Sequence, residues 1–259
     1  MKTMKISIIT LFMFLSSTQL FAQEYKISVQ NTKEAKLILK DFSGELPVEG
    51  YSGSEIIITA TSENHTPPER AKGLTAVYPS GSDNTGIGLD VQKTGNQIVV
   101  TCLLPFTRRG EYKISVPDNL ALEFESGCER GSQIFVSGTK NEIDIKNCHD
   151  INLESVTGPL ILSTISGNID VTFSTINTEK PFSVNSISGD IDITLPSKTP
   201  SDLTLRTVSG SFYSDFEFSD TRKDLKKVGG NEMNFAINGG GQKFSIVTVS
   251  GNIYLRKGN

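Results

Sequence analysis

A four-residue motif that ends in glycine recurs five times in the second half of the chain. Each copy reads hydroxyl residue, β-branched aliphatic, hydroxyl residue, glycine: Ser155–Gly158, Thr164–Gly167, Ser186–Gly189, Thr207–Gly210 and Thr248–Gly251. Three of the glycines, Gly167, Gly189 and Gly210, follow one another at a nearly constant interval, and the step from Gly210 to Gly251 is close to two such intervals. A regular repeat of this kind predicts stacked units that bury one continuous core.

The flanks of each glycine are apolar at fixed positions. Positions seven and five before the glycine share one face of a strand, because side chains alternate along a strand. The positions two before and two after it have the other parity, so the interior phase must slip by one residue at a corner or bulge. This pattern predicts that Ile187 and Ile191 are both inside the core and that Asn168 is outside it. The same reasoning places the aliphatic residue two before every glycine inside: Val156, Ile165, Ile187, Val208 and Val249.

The predicted fold class is therefore all-β, a right-handed β-solenoid with about 20–22 residues per coil. Right-handedness follows from the strong bias of crossover connections between parallel strands. We divide the chain into a signal peptide (1–22), an irregular N-terminal β-section that caps or extends the solenoid (23–115), and the repetitive solenoid (116–259) with a loop insertion at 215–234. The last strand, Asn252–Arg256, is expected to end the stack, with charged residues that keep its open edge from pairing.

The N-terminus has the features of a secretory signal peptide. Lys2 and Lys5 precede a short apolar run, and Ala22 is a small residue just before the expected cut. Removal of both lysines takes the formal charge from −4 to −6. Nucleic acid and anionic lipid are disfavoured as partners because both require a basic footprint. No later stretch is apolar enough for a transmembrane segment, so the chain is predicted to be periplasmic, associated with the outer surface, or secreted.

The hydroxyl residues of the motif form the candidate binding site. If the aliphatic residue between them points inward, strand alternation turns both hydroxyls outward. Stacking then predicts two parallel columns on one face, able to hydrogen-bond a repeating polar polymer such as a glycan. The alternative is that Ser and Thr at corners bond only to nearby backbone. The residues are Ser155, Thr157, Thr164, Ser166, Ser186, Ser188, Thr207, Ser209, Thr248 and Ser250.

Catalytic and metal-binding residues are not indicated. Two separated histidines, His65 and His149, give no zinc-ligand spacing, and no cofactor motif is found. Asp170 and Asp192 follow successive glycines at the same distance, with Asn168 and Asp190 two residues earlier, so stacking predicts columns of carboxylates on the outer face. Such a column could bind a cation or place two carboxylates as glycosidases do, but a solvated strand face is favoured, because the column breaks at Tyr213 and Tyr254.

The cysteines favour one disulfide. Cys128 and Cys148 are separated by nearly one coil, so stacking would bring their Cα atoms within the range of a bridge, and export permits oxidation. Two free thiols remain the alternative. Cys102 alternates with Ile98, Val100 and Leu104 and is expected to be a small buried apolar residue.

The stretch from Tyr112 to Pro117, the alternating strand Leu120–Phe124 and the serial Ser-Gly-x-Ile-x-Val units resemble the putative-adhesin family of exported bacterial domains. The resemblance extends over about residues 25–257, and it implies a fold without established catalytic residues. The predicted function is a non-enzymatic, adhesin-like surface or periplasmic interaction module whose partner is a glycan or a protein of the cell envelope or surface. The alternatives are a carbohydrate-active enzyme with an acidic site and a purely structural envelope protein.

Overall fold

The computed structural model describes residues 23–60, 68–105, 110–177, 180–217 and 231–258. The predicted signal peptide, His65 and most of the loop insertion lie outside these ranges. The strands are β1 (Gln23–Ser28), β2 (Lys36–Lys40), β3 (Glu45–Tyr51), β4 (Glu55–Ala60), β5 (Val77–Tyr78), β6 (Gly81–Ser82), β7 (Leu89–Thr94), β8 (Gln97–Cys102), β9 (Tyr112–Pro117), β10 (Ala121–Glu125), β11 (Gln133–Ser137), β12 (Ile143–Asn147), β13 (Ile151–Val156), β14 (Leu160–Ser166), β15 (Ile169–Phe173), β16 (Phe182–Ser188), β17 (Ile191–Pro196), β18 (Ser201–Ser209), β19 (Phe212–Ser214), β20 (Asn231–Ile237), β21 (Gln242–Ser250) and β22 (Ile253–Gly258). Two 3₁₀ helices, Glu69–Ala71 and Cys128–Arg130, are short.

Two large sheets and one small hairpin, β5–β6, contain these strands. The first sheet has the order β1-β4-β9-β3-β11-β13-β15-β17-β22-β19, and the second has the order β20-β18-β21-β16-β14-β12-β10-β2-β8-β7. Consecutive strands such as β14 and β15 go to different sheets, and strands of the same sheet pair in parallel with those of the next coil. The described strands thus build a solenoid-like, all-β stack, as the repeats predict.

Eight coils can be followed through the described strands, each with one strand in either sheet. The apolar side chains that the two sheets turn toward each other form one continuous core. The first coil in the chain, β2 with β3, pairs with the coil β10–β11 on one side and with β8–β9 on the other. The N-terminal section is therefore joined to the repeats by the same parallel ladders that join the repeats to each other.

The end of the stack differs from the prediction. β22 does not end the first sheet, because it lies between β17 and β19. The preceding coil, β18 with β19, is outermost, and β20 pairs antiparallel with β18. Since the coils at 203–214 and 244–255 carry the same apolar pattern, periodicity cannot tell which of them stands last. Antiparallel β20 covers the edge of β18 and so shields it from another strand.

Coil length also varies more than the glycine spacing indicates. Leu162 of β14 is level with Val184 of β16, a step along the chain that equals the predicted period. Ile145 of β12 is level with Leu162, and this step is clearly shorter. The earlier coil therefore falls below the predicted length because its connections are tighter. The right-handed winding stays a prediction.

The core follows the predicted pattern on both arms of the coil but not at the corner. Residues seven and five before the glycines are buried, as are Ile169, Ile191 and Ile253 two residues after them. The residues two before the glycine were expected inside, yet Ile165, Ile187, Val208 and Val249 are 48%, 54%, 50% and 44% exposed. The interior position is instead taken by the hydroxyl residue one place earlier. The phase slip thus follows the hydroxyl residue and does not precede it.

Candidate functional site

One predicted column of hydroxyls is buried. We call it the inner row: Thr164, Ser186, Thr248 and Thr207, on the neighbouring strands β14, β16, β21 and β18. Each strand runs without a break from its apolar arm to this position, so alternation carries the hydroxyl residue inward. The prediction that these four hydroxyls face solvent is therefore wrong.

The hydroxyls of the inner row donate hydrogen bonds to backbone carbonyls at the corner. Thr248 Oγ1 donates to the carbonyl of Gly189 at 3.0 Å, and Thr207 Oγ1 donates to the carbonyl of Gly251 at 3.0 Å. Ser186 bonds Gly167 in the same way, and Thr164 bonds the carbonyl of His149. Every inner-row hydroxyl thus joins its own coil to the corner of the coil beside it. Because buried polar groups require partners, these bonds explain polar residues inside an apolar core.

The glycine that ends the motif is required by close contact between backbones. A Cβ added to Gly189 would overlap the carbonyl oxygen of Gly167, and one added to Gly251 would overlap that of Gly189. Gly210 stands in the same relation to Gly251. The motif therefore codes for a corner in which a hydroxyl, a glycine and a neighbouring carbonyl meet, and this is the structural role that the sequence left open for Ser and Thr.

The residues beside the inner row form the exposed part of the corner. We call Ile165, Ile187, Val249 and Val208 the outer row; they lie on β14, β16, β21 and β18. The serines that follow them, Ser166, Ser188, Ser250 and Ser209, are also exposed and are level with one another across the strands. This surface thus combines a row of aliphatic side chains with one row of hydroxyls, where two rows of hydroxyls were predicted.

The first copy of the motif belongs elsewhere. Ser155 and Val156 are on β13, which is in the first sheet, whereas the other four copies are in the second sheet. Ser155 has a φ of 54°, and the register between β13 and β15 shifts there. This bulge precedes Val156, so Val156 is buried as predicted. Thr157 bonds the hydroxyls of Ser174 and Thr175, so neither Ser155 nor Thr157 extends the exposed row.

The acidic column exists but is engaged in local contacts. Asp170 is level with Asp192 on the first sheet, and Asp192 is level with Tyr254. Both oxygens of Asp192 accept hydrogen bonds from the guanidinium of Arg256, at 2.7 to 2.8 Å. Partial burial, followed by the charges of Asp192 and Asp150, raises the pKa of Asp170 above its usual range. Arg256 therefore occupies both oxygens of Asp192, the neighbour of Asp170 in this column.

Side-chain oxygens at the same corner, between the second-sheet strand and the first-sheet strand of each coil, bond the backbone of the next coil. Asp150 accepts from the N–H of Asn168, Asn168 from that of Asp190, and Asp190 from that of Asn252, at 2.7 to 3.0 Å. The column of Asn168 and Asp190 thus stabilises the stack and leaves fewer oxygens for a ligand. Among the described residues no three His, Cys, Asp or Glu side chains are grouped so as to hold a metal ion.

A disulfide bond lies beside Ile165, at one end of the outer row. Cys128 and Cys148 are joined in the structure, with Cα atoms 5.1 Å apart. Because Asn147 is level with Thr164, the next residue, Cys148, is level with Ile165. Cys148 is buried, whereas Ile165 is exposed. His149, beside the bridge, contributes its carbonyl to the corner, and Cys102 is buried as a free thiol.

The outer row was missed from the sequence because its residues are the most apolar of the motif. One signal could have revealed it: β14 contains no glycine or proline between Leu160 and Ser166, so unbroken alternation from Leu160 places Thr164 inside. The serines after the aliphatic residues were correctly placed on the surface. No helix of the described residues is long and apolar enough to cross a membrane.

Comparison with known proteins identifies the domain. The family model described as Toastrack DUF4097 matches residues 119–256, and no curated protein matches the chain. A "putative cell adhesion protein" from Clostridium sporogenes ATCC 15579 is 12% identical, with a TM-score of 0.46, over 92% of this chain and 100% of that one. A "putative adhesin" from Bacteroides fragilis NCTC 9343 is 10% identical, with a TM-score of 0.40, over 92% and 97%. Another from Parabacteroides merdae ATCC 43184 is 13% identical, with a TM-score of 0.29, over 92% and 96%.

Proposed function

We propose that this chain, which belongs to the Toastrack DUF4097 family, is an exported, adhesin-like interaction module that binds a protein of the cell surface or envelope through its outer row. One observation carries the proposal: four aliphatic side chains at outward positions on neighbouring strands are 44–54% exposed. Outward positions on a solvated strand are normally polar, and contiguous exposed apolar residues mark interaction sites.

The hydrogen bonds of the inner row indicate that the corner is a rigid surface. The inner row ties each coil to its neighbour through a buried hydrogen bond, and the glycine carbonyls align at close contact. The outer row is therefore presented on a backbone that has little freedom to rearrange. A preorganised surface loses less conformational entropy when a partner binds.

The enzymatic alternative receives less support. Asp192 is held by Arg256, while Asp150 and Asp190 accept backbone hydrogen bonds. A nucleophilic carboxylate needs an oxygen that is directed at substrate. A purely structural role does not explain why an aliphatic row is exposed to solvent. The test below can still identify that role, through absence of binding.

The test measures binding of the labelled exported chain to intact cells of the producing bacterium, with and without protease treatment of the cells. We expect protease-sensitive binding that is lost when Ile187 and Val249 are replaced by lysine. The matched control is Ile161→Lys, because Ile161 is 42% exposed on the same sheet but lies outside the outer row. Equal binding by the variant with lysine at Ile187 and Val249 and by Ile161→Lys would contradict the proposal, and absence of binding by the unaltered chain would favour a structural protein.

A further inference from the structure

A groove of about 710 Å³ lies at the other end of the same strands. It is lined by the beginnings of β18 and β21, by β20 and by Pro181 just before β16. The outer row lies near the ends of β18 and β21, so the two surfaces share strands without sharing residues. A volume between about 300 and 1,000 Å³ is typical of sites for small ligands.

The groove contains a row of uncharged polar side chains. Asn234 is level with Thr204, and Thr204 is level with Ser245. All three line the groove from outward positions of neighbouring strands, so the row extends over two strand spacings, about 10 Å. Thr204 Oγ1 donates to Asn234 Oδ1 at 2.7 Å, which orients the amide. The hydroxyl oxygens of Thr204 and Ser245 retain lone pairs for further donors.

The charges around this row balance. Asp202 is level with Lys243 on one side, and Glu232 is level with Arg206 on the other. Of these, Asp202 and Lys243 are the charged residues among the described lining of the groove, so that lining carries one negative and one positive side chain. The remaining wall includes Pro181 and the buried residues Phe182 and Phe244. Apolar walls with a few placed polar groups are the usual construction of a binding site.

From this lining we infer that the groove is a binding site for a neutral carbohydrate chain. Hydroxyl and amide groups in register match a ligand that presents hydroxyls at regular intervals, and the balanced charges disfavour uronic acids, sulfated sugars and basic peptides. Because the polar groups come from three neighbouring strands, the row matches a chain of sugar units and not a single monosaccharide. This inference does not depend on the outer row, because the two surfaces have different chemistry and different residues.

The experiment applies the exported chain to an array of neutral, acidic and amine-bearing oligosaccharides, followed by titration with the neutral oligosaccharide retained best. We expect binding to neutral chains, with affinity that rises with chain length. Ser245→Lys should lower affinity at least tenfold, because the ammonium group occupies the row and unbalances its charge. Thr204→Val, which keeps the shape but removes the hydroxyl, should lower affinity by several-fold.

The matched control is Ser163→Lys, since Ser163 is an exposed serine on the same sheet, on β14, outside the groove. Circular dichroism and thermal unfolding verify that the variants fold. Binding to acidic or amine-bearing chains alone, no carbohydrate binding at all, or equal losses for Ser163→Lys and Ser245→Lys would each overturn the inference. The outer-row variant Ile187→Lys should keep its carbohydrate affinity, which separates this site from the proposed protein-binding function.

Discussion

The inner and outer rows occupy neighbouring positions of the same motif but reverse the usual relation between polarity and burial. Thr248 is 0% exposed and Val249 is 44% exposed, although valine is the more apolar of the two. The hydroxyl has a buried carbonyl to bond, whereas the aliphatic residue has no room inside once the hydroxyl is there. Hydrogen bonding at a corner can therefore override hydrophobic patterning and leave an apolar row on the surface.

The largest expected difference in the free energy of unfolding is between alanine variants of two isoleucines of one coil. Ile191 is fully buried and Ile187 is 54% exposed. Ile191→Ala should lower the free energy of unfolding by about 2–5 kcal/mol, because it leaves a cavity. Ile187→Ala should change it by about 0.5 kcal/mol or less, as at other surface sites. Urea unfolding of both variants measures the difference, and equal costs would mean that the outer row is part of the core.

The next contrast concerns Cys148, which is level with Ile165 but is covered by its bridge to Cys128. Replacing both cysteines by serine should lower stability by about 3 kcal/mol, since a loop of about 20 residues is no longer closed in the unfolded chain. Thermal unfolding with and without reductant measures the loss. Non-reducing peptide mapping is the control, and two alkylatable thiols in the native protein would contradict the bridge.

Replacing an inner-row residue should cause a loss of stability that depends on the missing hydroxyl and not on a change in side-chain volume. Thr248→Val keeps the shape but leaves the carbonyl of Gly189 without that donor, so stability should fall by about 1–3 kcal/mol. Thr248→Ser retains the donor and serves as the control, with a smaller loss from the missing methyl group. If valine were tolerated as well as serine in urea unfolding, the bond would not be the reason for the buried hydroxyl.

The smallest effect on stability is expected in the acidic column of the first sheet, Asp170 and Asp192. The raised pKa of Asp170 means that the folded state holds its proton more tightly than the unfolded state does. That contribution is present below about pH 3.8 and is lost as the pH rises through the folded pKa, so ionised Asp170 is a small penalty at pH 7. Because Asp170 is exposed and water screens its neighbours' charges, Asp170→Asn should stabilise the protein at pH 7 by about 0.5 kcal/mol at most, and by less at pH 3.

Urea unfolding at both pH values checks the sign of this effect. Asp192→Asn is the comparison variant, and it should lower stability slightly at pH 7 because it weakens the contact with Arg256. A stabilising effect of Asp170→Asn that is larger at pH 3 than at pH 7 would contradict the assignment.

Much of the fold could be predicted from the sequence. The apolar positions seven and five before the glycines, and two after them, identify the two buried arms of each coil, and Ile191 and Leu162 are fully buried. The spacing of Cys128 and Cys148 also indicated which cysteines would meet. These features are local or nearly so, because they depend on strand alternation and on the length of one coil.

The candidate site was predicted only in part. Ser166, Ser188, Ser209 and Ser250 are on the surface as expected, but the neighbouring hydroxyls are inside. The groove was not anticipated, because Thr204, Ser245 and Asn234 come from three strands whose neighbours in the sheet the repeat pattern does not specify. Their alignment depends on which strands are neighbours.

The sequence by itself determined that the chain would form stacked β-coils with glycine corners, since the repeat specifies which side chains must be buried and where the backbone must turn. Only the tertiary structure decided the order of the coils and the residue at which the interior phase slips. The coils at 203–214 and 244–255 are interchangeable by pattern, and in the structure the coil at 203–214 is the outer one, with β20 paired to β18. The slip depends on a carbonyl of the neighbouring coil, which accepts the hydroxyl of Thr248 or Thr207 and so turns the next aliphatic side chain toward solvent.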